Sequence, residues 1–208
     1  MPEQARLRVH GYGKVEVELV TACLADLRAA YESILVFTSE VGRIERASRE
    51  FPYPLYPFWN PRFGRYAWEA PSPERLTSFV SRSQRLVLNA VQLSSPGVWE
   101  FLGSLNPLEV IRKWLNDRHE RRKDREYRES AELRRLTLEN LARENAVIEG
   151  RVKIARDLGA TDADLAPFLN DLLYKPLLAL DRHQDRGIIG GAELLRLEAP
   201  PDSDERDD

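Results

Sequence analysis

Residues 106–157 read NPLEVIRKWLNDRHERRKDREYRESAELRRLTLENLARENAVIEGRVKIARD, and their interpretation sets the architecture of the chain. Asn106 is placed to cap a helix, Pro107 suits a first helical position, and Glu109 suits a capping box. No proline follows before Asp157, and Gly150 is the one weak helix former, so the spacing predicts a continuous helix of about 50 residues, roughly 75 Å long. A folded body of this chain length is only about 40–45 Å across. Such a helix must protrude, bend or break. From Asp117 to Ser130 the one sizeable apolar side chain is Tyr127, and Asp117/Arg121, Arg122/Glu126, Asp124/Arg128 and Arg125/Glu129 are opposite charges four residues apart. The stretch has nothing to bury and reads as a solvated connecting rod. Beyond it Leu138, Leu141, Ile148, Val152 and Ala155 recur at coiled-coil spacing, with Asn145 at an inner position of the kind that fixes register. The stripe covers about two and a half heptads, and both packing within the chain and pairing with a second copy remain open at this stage.

Toward the N-terminus, Arg6 to His10 and Val15 to Val20 alternate around Gly11-Tyr12-Gly13, which predicts a β-hairpin with one buried face. Thr21 is placed to cap a helix over 21–48, because Leu24, Leu27, Tyr31, Ile34 and Val41 form one apolar stripe. Residues 51–73 then hold eight aromatics and six prolines in 23 positions, which predicts an irregular loop folded over the sheet. Within it Trp59, Arg62, Arg65, Tyr66 and Trp68 form the candidate partner-binding surface, since aromatics and arginines concentrate at interfaces. Ser72-Pro73-Glu74 opens a short helix with Leu76, Phe79 and Val80 turned inward. Arg85 to Leu93 is apolar on both alternating faces and predicts a central strand covered on both sides. Ser95-Pro96 begins a helical turn through Val98, Trp99, Phe101 and Leu102, which Gly103 stops.

Past the rod, Gly159 closes one helix and Thr161 with Asp164 opens the next. Its broad apolar face comprises Leu165, Phe168, Leu169, Leu172, Leu173, Leu177 and Leu180, with Pro167 in its opening turns and a kink expected at Pro176. Residues 187–197 fit either a strand or a short helix. The expectation is therefore an α+β protein in which a small, mostly antiparallel sheet is covered by helices and the aromatic, proline-rich loop. A long charged helix and a C-terminal helical hairpin follow. The division runs as a body over 1–105, the long helix over 106–158, a closing segment over 159–197 and a disordered acidic tail over 198–208.

Composition narrows the function classes. The 208 residues are 42% hydrophobic and 31% charged, which excludes wholesale disorder. No run approaches the roughly 20 apolar residues of a membrane-spanning helix, and the start has no signal-like core, so a cytoplasmic location is expected. Cys23 is the single cysteine, so neither an internal disulfide nor a multi-cysteine zinc site is expected. Residues 198–208 carry a net charge of −5 and leave the remainder at +2, so no uniformly basic surface calls for nucleic acid.

Chemistry-bearing patterns are sparse. The glycine turns at 11–13 and 187–191 lack a phosphate-loop pattern. Asp181, His183 and Asp185 alternate on a helix, where positions two apart diverge by about 200°. No catalytic residues, metal ligands or cofactor are assigned. The sequence favours a non-enzymatic interaction or scaffold protein that self-associates, as a homodimer, through its C-terminal helices at Leu138, Leu141, Asn145, Ile148, Val152, Leu169, Leu172 and Leu173. One alternative is a nucleic-acid binder using the rod, where residues 112–135 hold ten basic and six acidic side chains, together with the aromatic and arginine loop. The other is an enzyme without a recognisable motif. Peripheral membrane contact through Val98 to Leu115 is not favoured over burial in the body.

Overall fold

The computed structural model describes residues 3–50 apart from 13, residues 59–60 and 64–65, residues 73–117 apart from 93 and 95, and residues 146–197. Strand β1 (Gln4–Gly11) shows the alternation its sequence demands: Ala5, Leu7 and Val9 are buried, while Arg6, Arg8 and His10 face the other way. The predicted hairpin does not form. Lys14 takes a left-handed turn (φ 62°), Leu19 and Val20 both donate to Glu16 O, and helix α1 (Val17–Glu50) starts at once. Leu19 and Val20 gain partial burial in the helix, and Val17 is left in solvent. Thr21, expected as the cap, lies inside the first turns and donates its hydroxyl to Val17 O at 2.9 Å. The rest of α1 follows the expected stripe, burying Cys23, Leu27, Tyr31, Ile34, Phe37 and Val41.

Two two-residue strands, β2 (Trp59–Asn60) and β3 (Gly64–Arg65), pair with each other. Helix α2 (Pro73–Phe79) buries Leu76 and turns Phe79 outward, and a 3₁₀ turn spans Arg82–Gln84. The next two elements exchange the roles the sequence predicts. Strand β4 (Val87–Gln92), expected at the sheet centre, is an edge strand whose six residues are all exposed. Residues 97–104, expected as a helical turn, form the central strand β5 (Gly97–Ser104). Both segments are apolar, and what separates them is shape. β5 alternates the inward rings of Trp99 and Phe101 with Gly103, above which Tyr31 of α1 fits directly against the backbone.

Helix α3 (Leu105–Asn116) begins one residue earlier than its predicted cap, with Ser104 at the N-cap, and buries Leu108, Ile111, Trp114 and Leu115. The rod and the first part of the predicted coil, residues 118–145, lie outside the described residues. Helix α4 (Ala146–Asp157) packs against α1. The Thr161/Asp164 capping box forms as predicted and opens α5 (Asp162–Leu169). A π-helical turn over Asn170–Tyr174 leads into α6 (Lys175–Asp185), giving 24 continuous helical residues. The wider turn, in which Lys175 N–H donates to Asn170 O, falls immediately before Pro176, whose missing N–H breaks the ordinary ladder.

The chain then closes as a strand, and the predicted helical hairpin is absent. Gly187 (φ 69°) ends α6, and β6 (Ile189–Arg196) pairs antiparallel with β1. The sheet order β4-β5-β1-β6, antiparallel throughout, is a split β-α-β-β-α-β arrangement enlarged by α4 and α5. α1 and α3 pack together, and α6 packs against both. One apolar core joins these elements.

Tyr31 ties this arrangement together. Its hydroxyl donates to Gln84 O at 2.8 Å and accepts Ser104 N–H at 2.8 Å, and burial pushes its pKa up. Tyr31→Phe is expected to lower unfolding stability by about 1–3 kcal/mol in a urea titration, because Ser104 N–H is left buried without an acceptor.

Candidate functional site

The two edges of the sheet are treated differently. At β6 the backbone groups of Ala192 and the carbonyl of Gly190 are occupied by side chains. Asn116, the last residue of α3, donates from Nδ2 to Ala192 O at 2.9 Å, and its Oδ1 accepts Ala192 N–H at 2.8 Å. A single carboxamide thus stands in for a neighbouring strand. Gln184 Nε2 adds bonds to Gly190 O and Leu115 O, both at 2.9 Å. Such covers keep an edge from pairing with another chain.

At β4, among the described residues, nothing plays that part. Val87, Leu88 and Val91 are 51%, 44% and 48% exposed, and the strand carries no charged residue. A bulge between Leu88 and Ala90 keeps Leu88 and Val91 on the same face, opposite Phe101 and Trp99 respectively. The bulged residue, Asn89, donates from Nδ2 to Glu100 Oε1 at 2.6 Å.

Glu100 organises the solvent side of the sheet. It is nearly buried, lies 3.3 Å from Arg8 and 3.7 Å from Arg6, and its pKa is held below the usual carboxylate value by the Asn89 bond first and the two arginines after it. A carboxylate depressed in the folded state stabilises it above the unfolded-state pKa, and that contribution disappears as pH falls through the lowered value. Glu100→Gln is therefore expected to flatten the acid limb of the stability-against-pH curve. Further along this face, His10 lies 3.6 Å from Glu193.

The polar residues singled out in the sequence fall in separate places. His183 is buried and its Nε2 is 2.8 Å from Asp26 Oδ2, so it joins α6 to α1. Asp181 accepts the Trp114 indole N–H at 2.9 Å. Cys23, on the same helix as Asp26, is buried, and desolvation with the nearby Asp26 charge pushes its thiol up to about 12. The thiolate is the reactive form. Native Cys23 is expected to resist a disulfide reagent at neutral pH and to react on unfolding; rapid labelling of the folded protein would contradict this. Among the described residues, no three His, Cys, Asp or Glu side chains gather as a metal site, and no helix is long and apolar enough to cross a membrane.

No family model, curated protein or solved structure matches this chain.

Of the predicted packing residues, Ile148, Val152, Leu172 and Leu173 are buried inside the single chain and Leu169 is half-buried against its core. Leu138, Leu141 and Asn145 lie outside the described residues. In the predicted partner surface, Trp59 pairs with Arg65 along the β2–β3 backbone, while Arg62, Tyr66 and Trp68 lie outside the described residues. The tryptophan-rich segment weighed for membrane contact is core: Trp99, Phe101, Ile111 and Trp114 are all buried. Sequence reading missed the β4 edge, because edge and centre differ in neighbours and not in local pattern. Residues 87–92 lack the lysine, glutamate and proline that usually mark an edge, so the local sequence pointed to a central strand.

Proposed function

We propose that this protein is a non-enzymatic interaction module that self-associates through strand β4. The observation that carries the reading is the contrast between an edge covered at Ala192 by Asn116 and an edge that, among the described residues, is open, uncharged and exposes Val87, Leu88 and Val91. An exposed strand offers unpaired N–H and C=O groups as a template for another strand. A second copy suits it because an antiparallel two-fold register that sets Leu88 opposite Val91 of the second copy joins apolar side chains on one face. No like charges meet across that register. The burial of Ile148, Val152, Leu172 and Leu173 within one chain is what moves the contact from the C-terminal helices to the sheet edge.

Sedimentation velocity at tens of micromolar is the test. The wild-type chain is expected to sediment as a dimer, and Val91→Lys as a monomer with an unchanged far-ultraviolet spectrum, because position 91 is half in solvent and tolerates the charge. A monomeric wild-type chain, or a dimer indifferent to Val91→Lys, refutes the reading.

A further inference from the structure

Residues 75–92 hold three arginines, Arg75, Arg82 and Arg85, and no acidic side chain. The fold anchors the backbone that carries them. Leu76 and Val80 are buried below α2, and Gln84 O, in the 3₁₀ turn, accepts the Tyr31 hydroxyl at 2.8 Å. With the inward positions taken in this way, Arg75, Arg82 and Arg85 are all exposed. None of the three forms an ion pair among the described residues. Glu32 of α1, which packs against α2, is buried, and its carboxylate accepts the Thr77 hydroxyl at 2.8 Å.

Phe79 adds an aromatic ring to this basic surface. The sequence turns it inward with Leu76 and Val80, but in the fold it is 60% exposed, four residues after Arg75 and so on the same side of α2. A solvated ring contributes little to the core, and three unpaired guanidinium groups on one short segment repel one another. Both features favour a ligand that brings negative charge and a flat apolar surface together. Ser81 and Ser83, on either side of Arg82, are exposed as well.

We infer that this surface binds single-stranded nucleic acid. Arg75, Arg82 and Arg85 contact backbone phosphates, the hydroxyls of Ser81 and Ser83 bond to phosphate oxygens, and a base stacks on Phe79. A single strand fits better than a duplex, whose bases already stack on each other and leave none for the ring. It also fits better than an acidic peptide, whose carboxylates match the arginines and leave the ring unused. Glu3 and Glu45 line a cleft that Phe79 borders, which holds the phosphates to the arginine side of the ring. All these contact residues precede β4, so the inference is independent of strand pairing.

Fluorescence anisotropy of a labelled thymidine oligonucleotide, titrated with the full chain between about 50 and 200 mM salt, is the test. Binding is expected to saturate and to weaken with salt. Each phosphate contact on a single strand adds about 0.7 to the slope of log K against log salt, so Arg75→Gln combined with Arg82→Gln is expected to flatten it by about 1.4. Phe79→Ala is expected to weaken binding by about tenfold and leave the slope as it is. These substitutions fall at exposed positions, so unfolding midpoints in urea are expected to stay near wild type. Unlabelled poly-glutamate and a blunt DNA duplex are expected to compete more weakly than the unlabelled single strand. Absence of saturable binding, competition by poly-glutamate or duplex equal to that of the single strand, or unaltered affinity and slope in both variants overturns the inference.

Discussion

Gly103→Ala is expected to destabilise the protein by about 3 kcal/mol or more, a large share of the 5–15 kcal/mol typical of a folded domain. A Cβ at this position would stand 2.9 Å from both Cε2 and Oη of Tyr31 and 3.0 Å from its Cζ. Overfilling a packed core costs about 1–3 kcal/mol where side chains can shift. Tyr31 cannot shift freely, because its hydroxyl is held by Gln84 O on one side and Ser104 N–H on the other. Moving the ring breaks both bonds, at about 1 kcal/mol each or more where a buried group is left unpaired. Gly150→Ala is the control. Nothing lies within 4 Å of a Cβ there, and it is in the middle of α4, so alanine is expected to add about 0.5–1 kcal/mol. Urea unfolding of the two variants should move in opposite directions. If Gly103→Ala unfolds within 1 kcal/mol of wild type, the clamp at Tyr31 is not as tight as described.

The same glycine shows what the sequence did and did not disclose. Alternation in β1 and the 3-4 spacing in α1 are local, and both elements formed on the expected faces. The Thr161/Asp164 capping box is equally local, and it forms. Residues 85–104 contain two apolar runs of similar composition, and local pattern ranked them the wrong way round. Their order depends on Tyr31, more than 70 residues from Gly103, needing a strand without a side chain beneath its ring. Strand β6 was undecided for a similar reason. Gly190 lies under the Tyr12 hydroxyl and Gly191 under Asn116 Oδ1, contacts between distant parts of the chain that favour glycine at both positions.

Ile148→Ala is expected to lower stability by about 2–4 kcal/mol and the thermal midpoint by about 2–4 °C for each kcal/mol, at every protein concentration. Ile148 is fully buried in a single chain, on a helix that packs against α1, with Arg151 and Glu45 3.7 Å apart across the same contact. Removing its branched side chain leaves a cavity that α4 can close only by moving toward α1. Concentration separates the two roles open to this helix stripe. A residue buried between copies stabilises by mass action, so its loss would change how the midpoint rises with concentration. A residue buried within the chain shifts the midpoint by the same amount in dilute and concentrated samples. Combining Ile148→Ala with Val91→Lys sharpens the separation: the first should lower the midpoint at every concentration and leave the association constant alone, the second should lower the association constant and remove the rise of the midpoint with concentration, and the two effects should add because the sites share no partner. An association constant that falls with Ile148→Ala would return the contact between copies to the C-terminal helices.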